Sequence, residues 1–329
     1  MRIKELDALR GIAALAVVLY HFTTRYNQIF NKEFICNFTF GWLGVPVFFI
    51  LSGFVIYLTV NKSNTILKFL KSRFLRLYPT YWICIVLTLL FHFFSSLSIN
   101  RLSFSDVLLN FTMFQGLFDI KNVDGAYWSL FPELIFYLLM AFLMLLKKQN
   151  TYYIYNIILI ILGVLYLIWP NIVFEKILTI QYILLFMIGI AFYRIYNGIN
   201  TYFDFILIFI NWLVGTKLYY NSNQSISLIL LYFAFLIIIG TYFLFVYGKL
   251  KFLSKSKTFM FLGYISYALY LIHQNIGYII INFTEDYIGR FFSIILAILF
   301  AVGLATLITY KLEPNVRNLL HVKNDKNAK

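Results

Sequence analysis

A few ionisable residues stand inside stretches that are otherwise apolar. In "DALRGIAALAVVLYHF" (residues 7–22), Arg10 and His21 are eleven residues apart. At 100° per residue that is three turns plus about 20°, so both project from one helix face, about 16 Å apart along the axis. Asp7 and Ala14 join the same stripe. In "YWSLFPELIFYLL" (127–139), Ser129, Glu133 and Tyr137 recur every fourth residue and share a face. Pro132 is expected to kink that helix and free a backbone carbonyl. "SRFLRLYPTYW" (72–82) sets Arg73 and Arg76 one turn apart, a pair suited to gripping phosphate in a fork. "LGYISYALYLIH" (262–273) puts Ser266, Tyr270 and His273 along one side. An imidazole with a carboxylate partner is general-base chemistry, and paired guanidiniums bind phosphates.

Each group also has a structural explanation. Arg10 can snorkel, His21 can sit in an interfacial belt, and Arg73 with Arg76 can simply anchor a helix on its positive side. Trp128 suits either a belt or stacking on a sugar ring. Ser52-Gly53 in "VFFILSGFVI" reads as a helix-packing seam. His92 and His321 fall in no pattern, and no two histidines have metal-ligand spacing, so no metal site is expected. Cys36 and Cys84 stand apart from any CxxC motif, and Cys84, inside an apolar run, reads as a buried free thiol.

The elements that carry these residues follow from composition. The 329 residues are 62% hydrophobic and 12% charged, which places most of the chain in a bilayer. A span needs about 20 mostly apolar residues. Ten runs qualify: 8–23, 42–60, 77–94, 126–146, 152–170, 179–197, 202–218, 226–247, 260–283 and 288–311. The stretch 104–118 is semi-apolar, interfacial or re-entrant. The expected fold is therefore an all-α polytopic membrane protein of about ten helices, with 1–311 as one transmembrane domain and 312–329 as a short basic tail. The N-terminal run lacks small residues at a cleavage position, so it reads as a retained first helix.

The loops sort by sign. Lys62, Lys68, Lys71, Arg73 and Arg76 crowd the second loop, Lys147 and Lys148 the fourth, and Lys249, Lys251, Lys255 and Lys257 the eighth. The tail adds Lys311, Arg317, Lys323, Lys326 and Lys329. Between them, Asp106, Asp119 and Asp124 outweigh Arg101 and Lys121, and Glu285 with Asp286 makes the ninth turn acidic. This is the positive-inside pattern, and it places both termini in the cytoplasm. The net charge of +14 thus sets topology and meets anionic lipid rather than nucleic acid. On that topology Glu133 lies about two turns below the outer surface, at a height comparable to His21. Charge inside a span costs about 2.5–3.5 kcal/mol on insertion scales, which argues for function.

Taken in order, "LDALRGIAAL" with Arg10-x10-His21, "FFILSGF" at 48–54, Arg73-x-x-Arg76, "WSLFPELIFYLL" at 128–139, "LGYISYALYLIH" and "YKLEPNVR" at 310–317 resemble the acyltransferase 3 family of integral membrane acyltransferases. The resemblance implies a ten-helix domain of the cytoplasmic membrane. It implies transfer of an acetyl group from cytoplasmic acetyl-CoA to a hydroxyl of a cell-surface or lipid-linked glycan. It maps the family's functional Arg and His onto Arg10 and His21, its cationic pair onto Arg73 and Arg76, and its acidic position onto Glu133. On this basis His21 is expected as general base with Glu133 orienting it, and Arg10, Arg73 and Arg76 as the donor-phosphate site. Tyr137, Ser129 and Tyr270 are candidate oxyanion donors, with Trp128 and His273 also facing substrate. The alternatives are a transporter or flippase of lipid-linked sugars, which commonly shows two related halves that this chain lacks, and a non-catalytic scaffold, which leaves the clustered polar residues unexplained.

Overall fold

In hydrocarbon every backbone polar group must be satisfied within its own segment, so long apolar runs become helices. The computed structural model describes residues 3–32, 36–95, 102–148, 151–199, 202–222 and 226–325, with side chains up to residue 320. Arg101, Lys326, Lys329 and the side chains of His321 and Lys323 lie outside the described residues. Among those described there are helices and turns and no strand. The first five helices are α1 (Lys4–Tyr20), α2 (Tyr26–Phe30), α3 (Gly44–Lys62), α4 (Ile66–Phe93) and α5 (Phe104–Asn110). Next come α6 (Leu130–Leu145), α7 (Tyr152–Ile168), α8 (Ile180–Tyr196), α9 (Tyr202–Ser222) and α10 (Leu228–Val246). α11 (Lys257–Ile288), α12 (Arg290–Leu307) and α13 (Glu313–Asp325) complete the series.

A long helix occupies each of the ten expected places, but among the described residues seven segments are long and apolar enough to cross a membrane. α7 and α8 are apolar but have 17 residues each, about 26 Å of rise against a core of about 30 Å. α11 is the longest at 32 residues and is diluted by its Tyr, Asn, Gln, His and Glu side chains. Several expected bounds also move. The first segment continues to Phe30, and α4 begins at Ile66, so Arg73 and Arg76 lie two to three turns inside a helix rather than at its mouth. Pro132 does not kink α6. It falls in the first turn, where its missing N–H costs no hydrogen bond. The tail is helical as α13, joined to α12 by a π turn at Ile308–Leu312.

The chain forms two compact units, each discontinuous in sequence. The first comprises residues 1–44, 72–128 and 256–329. Its spine is the pair α1 and α11, with α12 packed on α11. Gly11 faces Gly263, His21 faces His273, and Tyr26 stacks edge-on against Tyr278, all at a constant offset of 252 residues. A constant offset means that the two helices run parallel and in register. Glycine permits their close approach: a Cβ on Gly11 would stand 2.5 Å from the Gly263 backbone nitrogen, and one on Gly263 would strike the Asp7 carbonyl.

In the same unit, α5 starts with a capping box between Ser103 and Asp106. The carbonyls that follow it are taken one by one from α4: Tyr81 Oη donates to Asn110 at 2.7 Å, Trp82 Nε1 to Phe111 at 3.0 Å and Tyr78 Oη to Thr112 at 2.9 Å. Tyr78 stands only two residues beyond Arg76, so the stretch 104–118 reaches back along α4.

The second unit comprises residues 45–71 and 129–255. Here the Ser52-Gly53 seam is helix packing, as expected. A Cβ on Gly53 would meet the Phe186 carbonyl, and one on Gly189 the Ile50 carbonyl. At one end of α7, α8 and α9 the buried Asp204 accepts from Arg194 Nε at 2.8 Å, while Arg194 Nη2 donates to Tyr153 Oη at 2.6 Å.

Candidate functional site

His21 closes α1 and opens a five-residue π turn, His21–Arg25. Such turns recur at functional sites because they displace side chains from regular spacing. Thr23 makes this one affordable: its hydroxyl donates to Leu19 O at 2.6 Å and accepts from the Phe38 amide at 3.1 Å. On α11, His273 is wholly buried, and its Nδ1 lies 2.8 Å from Tyr270 O and 3.2 Å from Leu269 O. His273 Nε2 lies 2.9 Å from His21 Nδ1, which is also 3.0 Å from Val17 O.

The protons can be assigned from this network. Carbonyls only accept, so His273 Nδ1 carries hydrogen, and the neutral ring offers Nε2 as an acceptor. His21 Nδ1 then faces two acceptors, Val17 O and His273 Nε2, and must donate. The free lone pair of neutral His21 is therefore on Nε2. An imidazole held in one tautomer with its second nitrogen bare is the arrangement a general base requires.

Two arginines of this unit stand along the same helix pair. Arg10 Nη1 pairs with Asp7 at 3.2 Å, one turn away on α1 and beside Gly263. The Arg76 guanidinium lies over the Tyr267 ring, 5.2 Å from its centre, and Tyr267 Oη donates to Leu77 O at 3.0 Å. Arg73 Nε reaches Ser72 at 3.4 Å. From Gly263 and Tyr267 to His273 the rise is ten and six residues, about 15 and 9 Å. Tyr270 stands beside the imidazoles, its ring 5.8 Å from that of His273, and Trp128, the last residue of the 72–128 segment of this unit, is half-buried.

The remaining expected residues belong to the second unit. Tyr137 donates to Glu133 at 2.6 Å, so the face-sharing read from their spacing holds, and Ser129 is the residue before α6. Glu133 is half-buried in the first turn of that helix.

Two features escaped the sequence reading. The partner of His21 in its own unit is His273, expected only as a substrate-facing group. A signal existed, because glycine precedes histidine by ten residues in both motifs, Gly11/His21 and Gly263/His273. His92 is not incidental either. Its Nε2 accepts from Asn275 Nδ2 at 3.1 Å, next to the wholly buried Asp124. Burial pushes the Asp124 carboxyl up to about 7, although amides of Ala126 and Asn275 pull it down. Among the described residues no group of three or more His, Cys, Asp or Glu is placed to hold a metal.

Comparison with known proteins places these residues in a family. The chain is 28% identical over 196 residues to the peptidoglycan O-acetyltransferase OatA of Listeria monocytogenes, covering 52% of this chain and 29% of that protein. It is 33% identical over 82 residues to the acyltransferase MdmB of Streptomyces mycarofaciens, 24% of this chain and 21% of that one. It is 34% identical over 92 residues to the O-acetyltransferase OatA of Staphylococcus aureus, 25% and 13% respectively. The chain thus aligns with less than a third of each of these relatives. No solved structure is a significant match. Residues 3–310 match the acyltransferase 3 family, described as an acyltransferase domain, and the chain belongs to that family.

Proposed function

We propose that the protein is a multi-pass O-acyltransferase of the cytoplasmic membrane that moves an acetyl group from acetyl-CoA to a hydroxyl of a cell-surface or lipid-linked glycan. Ten spans with both termini inside, as the loop charges require, put Arg10, Arg73 and Arg76 toward the cytoplasm and His21 toward the far side. The three arginines bind the CoA phosphates. The pantetheine arm, long and thin, runs along α1 and α11 to bring the thioester to His21. The observation that carries this reading is the 2.9 Å contact between His21 Nδ1 and His273 Nε2, together with the 3.0 Å contact to Val17 O. Both leave His21 Nε2 as the base.

In the reaction, His21 Nε2 takes the proton of the acceptor hydroxyl as its oxygen attacks the thioester carbonyl. The carbon–sulfur bond then breaks, and His21 returns the proton to the departing thiolate. His273 Nε2 accepts the Nδ1 hydrogen throughout, fixing the ring and stabilising the transient imidazolium. Tyr270, whose ring lies 5.8 Å from that of His273, is the oxyanion donor in this scheme. Glu133, Ser129 and Tyr137 are retained as functional residues of the second unit, with Glu133→Gln their test, and Trp128 as a sugar-stacking surface.

The decisive comparison is His21→Ala against gene deletion, with insertion of the variant confirmed and O-acetyl groups on surface glycans read by mass spectrometry. Both are expected to abolish the same modification. Acetylation lost on deletion but fully retained in His21→Ala refutes the mechanism. A deletion that changes glycan export and leaves acylation intact makes the protein a transporter.

A further inference from the structure

We propose that Asp124 and Asn275 set the orientation of His21 by fixing the turn of α11 that carries His273, so that Asp124 is a positioning residue for the acyl transfer proposed above, on which this inference rests. Asp124 lies in the first unit and is wholly buried. Its Oδ1 accepts from the Ala126 amide at 2.9 Å, which shapes its own turn. Its Oδ2 accepts from the backbone amide of Asn275 at 2.9 Å, which ties that turn to α11 two residues past His273.

The Asn275 side chain doubles the tie. Its Nδ2 donates to Val123 O at 2.8 Å and to His92 Nε2 at 3.1 Å. Gly125 packs so tightly on Gln274 that a Cβ there would stand 2.8 Å from Gln274 Oε1. Residues 274 and 275 are thus gripped from the 123–126 segment and from α4 at once. Asn110, whose carbonyl takes the Tyr81 hydroxyl, receives the Val123 amide on its Oδ1 at 2.9 Å and so anchors the segment from behind.

The lever is short. A side chain reaches about 6 Å from the helix axis, so a 10° rotation of α11 at this point moves the His273 ring by about 1 Å. That is enough to break a 2.9 Å contact with His21 and release its Nδ1 hydrogen from a fixed direction. The tie also explains why a carboxyl group is buried here: its two oxygens accept two amides that one amide oxygen cannot serve as well.

The test uses the full-length protein in proteoliposomes, with acetyl-CoA as donor and surface glycan isolated from a deletion strain as acceptor. Asp124→Asn keeps the shape and presents an NH2 group to one of the two amides. It is expected to lower kcat about 10–100-fold while leaving the KM for acetyl-CoA within about twofold, because the arginines are untouched. Nitrogen-15 histidine spectra are expected to change from a single Nδ1–H form of His21 to a mixture of tautomers. Asn275→Ala, which retains the backbone amide, is the second variant and is expected to act in the same direction. A folded Asp124→Asn and a folded Asn275→Ala with wild-type kcat and an unchanged His21 spectrum overturn the inference. Full activity of His21→Ala, run beside them, overturns the acyl-transfer mechanism instead, and the nitrogen spectra still judge the tie between Asp124 and His21.

Discussion

Replacing Gly11 with alanine should separate the two imidazoles without touching either. The new Cβ would stand 2.5 Å from the Gly263 nitrogen and 2.8 Å from the Leu262 carbonyl carbon, where ordinary contact begins near 3.4 Å. Both obstacles are backbone, so neither can rotate away, and α1 must retreat by about 0.9 Å to restore contact. If the parallel helices part as a body, the 2.9 Å contact between His21 and His273 opens to about 3.8 Å, beyond a hydrogen bond. A misplacement of this size costs about a hundredfold in rate, and the strain is worth about 1–3 kcal/mol of stability. The control is Gly303→Ala on α12, where nothing lies within 4 Å and helix propensity alone operates. That variant should be as active as wild type and more stable by up to about 1 kcal/mol. Thiol release from acetyl-CoA by protein purified in detergent gives the rate, and thermal unfolding in the same detergent gives the stability. A folded Gly11→Ala with wild-type turnover would show that the imidazole contact does not limit the reaction.

Three further outcomes are expected. Arg73→Ala with Arg76→Ala should raise the KM for acetyl-CoA by at least about a hundredfold, each charged hydrogen bond contributing about 1.5–3 kcal/mol; an unchanged KM removes the pair from the donor site. Asp124 holds its proton up to about pH 7 in the folded chain, against about 3.9 for a free side chain. Between those values the unfolded chain binds fewer protons, so stability should fall as pH rises from about 4 to 7, by at most about 4 kcal/mol, and then level off. Thermal unfolding in detergent at pH 5 and 8 should show the loss in wild type and not in Asp124→Asn; parallel behaviour refutes it. In the second unit Asp204→Asn leaves Arg194 buried beside a neutral partner, and the unfolding temperature should drop by the equivalent of about 3–5 kcal/mol; an unmoved temperature shows the pair to be dispensable.

What could be read from the sequence divides by physical range. A run of apolar residues must satisfy its own backbone, so ten helices were found where ten runs stood. Periodicity also placed Glu133 under Tyr137, because residues four apart on a helix always meet. It failed wherever the neighbour was remote. Nothing local marks the course of residues 104–118 along α4, which depends on three donors, Tyr78, Tyr81 and Trp82, reaching carbonyls some thirty residues later. The π turn at His21 was invisible because its sustaining bonds come from Thr23 and from Phe38 across a loop. Asp124 read as one acidic loop residue among three, although burial makes it the least ordinary of them.

The pairing of α1 with α11 shows how distant motifs become one site. Each brings a glycine and, ten residues on, a histidine. The glycines alone bring the backbones close enough for the side chains one and a half nanometres away to touch, since parallel helices with equal rise stay in register over that distance. Antiparallel helices with the same residues would place each histidine beside the other chain's start. The topology therefore matters as much as the motifs: α1 and α11 must run the same way, and their constant offset of 252 residues shows that they do. Arg10 precedes His21 on α1, and Tyr267, beneath Arg76, precedes His273 on α11, so these two arginines lie on one side of the imidazoles along the pair, while Arg25 and Arg290 lie on the other.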